Sequence, residues 1–198
     1  MILFDFSAEY ILEDERVLLR PLQTDDLGHL LGFALNEPEI WQYSYVRAGG
    51  SRENLEKYIR IALMARANKT EYPFIVFDKK TQEYSGSTRF YDMQLNNQTL
   101  QLGYTWYGKA FQGTGLNKHC KYLLLEFAFG KLSMERVEFR ADNNNAKSIT
   151  AMKSIGCVVE GVLRSNLPKV DGGRRDSIIL SILKNEWPDV KERLVARL

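Results

Sequence analysis

The segment from Leu100 to Asn117, LQLGYTWYGKAFQGTGLN, constrains this chain more than any other. Leu100–Tyr107 alternates with the period of two of a strand. Gly108 and Lys109 turn the chain, Gln112-Gly113-Thr114-Gly115 follow, and an amphipathic helix begins. A strand that passes through small residues into a helix aims bare backbone N–H groups at one point, which suits a phosphate. In the strand, Leu100, Leu102, Tyr104 and Trp106 are expected on one face, and Gln101, Gly103, Thr105 and Tyr107 on the other. Gly103 invites a bulge or the close approach of a ligand.

The helix is marked by Leu116, Cys120, Leu123, Leu124, Phe127 and Ala128 and ends at Gly130. The next strand, Met134–Arg140, must run parallel to the first because a helix lies between them. Upstream, residues 1–14 form an apolar and acidic arm that packs across the domain or against a second copy. Residues 15–198 read as one domain. It starts with a strand, Arg16–Leu22, then a helix capped by Thr24 and a helix capped by Ser51 whose stripe is Leu55, Tyr58, Ile59, Ala62 and Leu63. Between these helices, Trp41, Tyr43 and Tyr45 belong to a packed loop or to one wall of a cleft. Strands Glu71–Asp78 and Glu83–Met93 precede the opening strand across short polar turns, so all three are antiparallel neighbours. Downstream come a short helix, Ala146–Ile155, and a strand, Cys157–Arg164. A turn at Asp171-Gly172-Gly173, a strand Arg174–Leu183 and a last helix with the stripe Val190, Leu194 and Leu198 close the chain. The expected fold is α/β: a mixed, mostly antiparallel sheet of about seven strands flanked by helices, with one central parallel pair.

Composition narrows the function. With 27 basic and 25 acidic residues, the chain lacks the clustered excess of a nucleic-acid binder. Cys120 and Cys157 form no CxxC pair, so no metal site is expected, and both read as buried, reduced thiols of a cytoplasmic protein. No apolar run reaches the ~18 residues of a membrane span, and the acidic N-terminus is unlike a signal peptide.

Three phosphate cradles compete for residues 108–117. A Walker loop requires Lys where Thr114 stands. A dinucleotide fingerprint requires Gly where Lys118 stands, and successive βαβ units where the chain has antiparallel strands. The third is an acyl-CoA cradle, and QGTGLN at 112–117 fits it except for Asn117. Here the chain resembles the GNAT acyl-CoA N-acetyltransferases, in particular their RimJ/RimL-like branch. The likeness runs through LLRPL, GSTRF at 86–90, LGYTWY, QGTGLN, Asn145-Ala146-Lys147-Ser148, IGCVVEGVLR, RRDSIILSIL and NEWP.

The resemblance implies a GNAT fold whose central parallel strands splay apart, and acetyl-CoA as co-substrate. Backbone groups of Gln112, Gly113, Thr114, Gly115, Leu116 and Asn117 would hold the pyrophosphate. Thr105, Trp106 and Asn145 would hold the pantetheine arm, in the manner of an added strand. It implies transfer of the acetyl group to a primary amine by direct attack in a ternary complex. The acceptor would be a protein N-terminal α-amino group or a small-molecule amine. A non-catalytic acyl-CoA-binding module is the alternative, because two family positions are changed. Met152 stands where many members carry a Tyr acid, so Ser148 becomes the candidate catalytic residue, against a plain role in the first helical turn. Gln101 stands where a Glu base is common, leaving water or another carboxylate such as Asp92. His119, Lys109, Lys118 and Lys121 read as solvated or near the cofactor phosphates, and His29 as structural. Arg89 reads as an acceptor contact or a pair within the sheet, and residues 171–176 as an edge of the acceptor cleft. The arm and the aromatic loops are compatible with a homodimer.

Overall fold

Short polar turns link alternating runs, and the strands they join lie side by side. The structure, a computed structural model, describes residues 4–169 and 172–198. Its elements in chain order are β1 (Leu12–Glu13), β2 (Val17–Pro21), α1 (Leu27–Asn36), α2 (Arg52–Ala67), β3 (Tyr72–Asp78), β4 (Glu83–Gln94) and β5 (Thr99–Tyr107). Then follow α3 (Leu116–Glu126), β6 (Arg136–Asp142), α4 (Ala146–Ser154), β7 (Val158–Pro168), β8 (Arg174–Leu183) and α5 (Trp187–Val195). The strands form one sheet in the order β1-β2-β3-β4-β5-β6-β8-β7. Every neighbouring pair is antiparallel except β5 and β6, which α3 connects.

Each face of the sheet has its own core. On one face, Leu116, Cys120, Leu124 and Leu125 of α3 and Val190 and Leu194 of α5 pack on Phe74, Val76, Leu100, Leu102 and Val137. On the other, Leu30 and Ala34 of α1 and Leu55, Tyr58, Ile59 and Ala62 of α2 pack on Ile75 and Trp106. Most residues of the 3.6-residue stripes read from the sequence lie on these buried faces, with Leu63 and Leu123 only half-buried at their edges. Burial of each such side chain contributes on the order of 1.5–3 kcal/mol.

Several expectations are corrected. Among the described residues the sheet has eight strands, where about seven were expected, because the arm itself supplies β1, paired to Leu18 and Leu19. The arm lies across its own sheet: Phe4 and Phe6 are buried in the first core beside Tyr72 and Phe127. Thr24 does not cap α1 directly. Residues Thr24–Asp26 form a 3-10 turn, and the buried Asp26 carboxylate accepts from the Gln23 N–H while pairing with Arg20. The helix after Glu126 winds on as a π-helical turn, Phe127–Lys131, through Gly130. Leu198 is exposed at the end of the chain, so the last stripe is Trp187, Val190 and Leu194. Asp171 of the expected turn lies outside the described residues, while Gly172 and Gly173 have positive φ.

The alternation of β5 also departs from expectation. Between β4 and β5 the register moves from Ser87–Trp106 to Arg89–Gly103, so β5 carries one extra residue. Tyr104 absorbs it with φ 49°. This bulge beside Gly103 reverses the faces beyond it. Leu100, Leu102 and Tyr107 therefore share the first core, and Trp106 enters the second.

Candidate active site

The parallel pairing of β5 and β6 is short. It joins Thr99 to Arg136, Leu100 to Val137 and Gln101 to Glu138, and then stops. Beyond that point β5 continues along β4 to Tyr107, and β6 continues along β8 to Asp142. The two strands thus separate, and the bulge at Tyr104 lies on the separated part. Among the described residues, the backbone of β5 from Leu102 onward has no strand partner on its β6 side.

At the far end of β5 the chain makes a 3-10 turn, Lys109–Phe111, and enters the small-residue loop. Gly113 and Gly115 have φ of 78° and 92°, values that L side chains adopt only under strain. Gly115 is the N-cap of α3. A Cβ built on either glycine meets nothing within 4 Å, so any side chain would project into the open cradle. Thr114 turns its hydroxyl inward, donating to Phe111 O at 2.8 Å. Among the described residues, the N–H groups of Gly113, Thr114, Gly115 and Asn117 have no protein partner. With the positive end of the α3 dipole behind them, they form an anion cradle. These features fit the phosphates of an acyl-CoA.

The other residues proposed from the sequence are placed as follows. Leu116 is fully buried and offers only backbone to the cradle. The Asn117 side-chain oxygen accepts from the Tyr107 hydroxyl at 3.2 Å, which leaves its NH2 as the group available for other partners. The Gln112 amide is committed within the protein. It donates to Tyr107 O at 2.7 Å and accepts from the Lys147 ammonium, tying the loop to the first turn of α4. Thr105 and Trp106 point to opposite faces. Thr105 bonds Thr88 and Lys121, and the Trp106 ring lies 4.6 Å from that of Trp41. Their backbone is what faces the separation.

Asn145 is the N-cap of α4, its oxygen accepting from the Ser148 N–H at 3.1 Å. Ser148 is half-buried, and among the described residues its hydroxyl makes no hydrogen bond. Met152, one turn on, is buried in the core. Gln101 is buried too. Its NH2 donates to Asp92 at 2.7 Å, and among the described residues its side-chain oxygen has no partner. Arg89 is an internal pair: it meets Glu71 at 2.7 Å between the rings of Tyr58 and Tyr104.

A cavity of ≈ 230 Å³ lies beside the C-terminal end of β6. Tyr43, Tyr45 and Arg47 of the loop between α1 and α2 form one wall, and Asp142, Lys169 and Arg175 another. Arg175 joins the walls through Tyr43 O at 3.3 Å. The aromatic segment therefore serves both expected purposes. Trp41 is core, while Tyr43 and Tyr45 are exposed at a cleft. Asp142, buried at the turn before Asn145, lines this cavity without any sequence signal that would place it there.

His119 and Lys121 of α3, expected to be solvated or near the cofactor phosphates, are both buried. His119 is buried and bonds Asp14 at 2.8 Å. Glu15 also approaches, so Asp14, Glu15 and His119 are the metal-ligating types that converge among the described residues. Asp14 already accepts from the N–H groups of Arg16 and Val17, which makes this cluster a brace between the arm and α3. Lys121 is 5% exposed, and burial pushes its amine down to about 8. Burial pushes the Cys120 and Cys157 thiols up to about 12, so neither is a ready nucleophile. A sequence signal for Lys121 existed: it sits four residues before the buried Leu125, on the inward side of the helix.

Comparison with known proteins agrees with this geometry. Residues 16–158 match the family described as acetyltransferase (GNAT) domain. An uncharacterized N-acetyltransferase, p20, of Bacillus licheniformis is 26% identical over 180 residues, 89% of this chain and 97% of that protein. A solved structure of a candidate acetyltransferase from T. thermophilus is 34% identical with a TM-score of 0.87, covering 97% of this chain and 98% of that one. RimJ of Mycobacterium smegmatis, solved in complex with CoA-disulfide, shares the fold at 20% identity and TM-score 0.78, over 95% of this chain and 93% of that one. No helix among the described residues is long and apolar enough to cross a membrane. The separated parallel strands, the glycine cradle at the start of α3 and the family match lead to one conclusion: the chain belongs to the GNAT family of N-acetyltransferases.

Proposed function

We propose that the separation between β5 and β6 holds acetyl-CoA and that the cavity beside Asp142 receives a peptide N-terminal α-amino group. The observation that carries this reading is continuity. Among the described residues, the unpaired edge of β5 leads through one 3-10 turn to the unpaired N–H groups of Gly113, Thr114, Gly115 and Asn117.

Acetyl-CoA, when bound, supplies an acetyl group activated as a thioester. The N–H groups of Gly113, Thr114, Gly115 and Asn117 bind its phosphates. The β5 backbone at Thr105 and Trp106 and the free NH2 of Asn145 orient its arm. The Ser148 hydroxyl donates a hydrogen bond to the departing sulfur, in the role that Met152 cannot take. Gln101 cannot act as a base, and the amine proton passes to water. Tyr43, Tyr45 and Arg175 border the entry through which an extended peptide reaches the reacting end. A small amine would leave most of that border uncovered, which favours a peptide.

Release of coenzyme A, measured with N-terminal peptides and with small amines as acceptors, tests the choice. Peptides are expected to give the higher kcat/KM. Equal or better turnover with small amines overturns the peptide assignment.

A further inference from the structure

Lys121 is the least explained charged group in the molecule. It stands on the inward side of α3, between residues that pack in the first core. Its ammonium donates to the Thr105 hydroxyl of β5 at 2.8 Å and lies 6.0 Å from the ring centroid of Phe139 on β6. Both contacts fall beyond Gln101 and Glu138, where the parallel pairing ends. The amine therefore sits on the floor of the opening between the strands. Among the described residues it has no carboxylate partner, and Thr105 is its one hydrogen bond. An ammonium has three donors, and a buried one with a single neutral partner is poorly satisfied. A leucine would pack there at no such penalty, so packing does not account for a lysine.

We propose that Lys121 is a cofactor-contacting residue, its amino group donating from the floor of the opening to a carbonyl oxygen of the acetyl-CoA arm. This rests on the reading of the opening as the acetyl-CoA site. A carbonyl oxygen stabilises the ammonium over the neutral amine, so binding draws a proton onto Lys121 wherever the free protein has partly lost it. Burial places that range near pH 8. The titratable groups facing it are the thiols of Cys120 and Cys157, which stay neutral there, and Thr105, Thr88 and Phe139 do not titrate.

Calorimetry of coenzyme A binding tests this, at pH 6.5 and 8.5, each in two buffers of different ionisation enthalpy. The difference between wild type and Lys121→Met cancels protons belonging to coenzyme A itself. Wild type is expected to take up more protons than Lys121→Met at pH 8.5 and equally many at pH 6.5. Lys121→Met is expected to bind roughly tenfold to a hundredfold more weakly at pH 6.5, the loss of one charged hydrogen bond. Lys121→Arg, charged at both pH values, retains binding without the extra uptake and serves if the Met variant fails to fold. Equal affinity and equal proton uptake in wild type and Lys121→Met overturn the inference while leaving the cofactor site intact. Absence of coenzyme A binding by wild type overturns the site itself.

Discussion

The NH2 of Gln101 donates to Asp92 across 2.7 Å, and this leaves the Gln101 oxygen buried, with no partner among the described residues, at the point where β5 and β6 part. Gln101→Glu would put a second carboxylate against Asp92. Two carboxylates so close cannot both ionise freely, so one takes a raised pKa in the folded state. Such a penalty is present above that raised pKa and fades as pH falls through it. The variant is expected to be about 1–3 kcal/mol less stable at pH 8, with the deficit shrinking toward pH 5. Melting curves at several pH values measure this, and a deficit independent of pH would show that the two groups do not share the site.

Gly115 has φ 92° and open space where a Cβ would stand. Gly115→Glu places a carboxylate in the cradle proposed to hold the phosphates. Calorimetry is expected to show loss of acetyl-CoA binding in a protein that still folds. Gly115→Ala is expected to cost about 1 kcal/mol of stability through the left-handed backbone, and to bind more weakly.

Ser148 has its N–H held by Asn145 and its hydroxyl uncommitted. Ser148→Ala is expected to lower kcat about tenfold to a hundredfold with little change in KM for acetyl-CoA. Steady-state kinetics checks it, and unchanged kcat removes Ser148 from the chemistry.

Much of this was legible in the sequence. The helix stripes, the parallel pair and the glycine cradle are local patterns, set by residues close in the chain. The missed features depend on partners that arrive from far away. Lys121 and His119 read as solvated or near the cofactor phosphates, and their burial was missed because the partners are distant in sequence: Thr105 is 16 residues from Lys121, and Asp14 is 105 residues from His119. The Gln112 side chain is held by Lys147, a contact that nothing local in the sequence announces. The β5 faces failed for another reason: one residue, Tyr104, leaves the strand region, and every later side chain changes side. Gly103 announced a bulge but not which residue would carry it.

The Asp14–His119 brace gives a pH-dependent contribution to stability. Burial alone would raise the Asp14 pKa, but the hydrogen bond from His119, then those from the Val17 and Arg16 N–H groups, hold it below its ordinary value. A carboxylate with a depressed folded pKa adds stability above its unfolded pKa and loses it as pH falls through the folded value. Asp14→Asn is therefore expected to be about 1–3 kcal/mol less stable at pH 7, with the difference shrinking below about pH 4. Denaturant melts of both proteins across that range check it.

The most direct test of the central claim is the melting temperature of the wild-type protein with acetyl-CoA and, separately, with NAD. A ligand at a hundredfold its Kd adds about 2.7 kcal/mol, or roughly 5–10 °C for a chain of this size. The separated strands and the glycine cradle predict that rise with acetyl-CoA and none with NAD. A rise with NAD and none with acetyl-CoA would contradict the account.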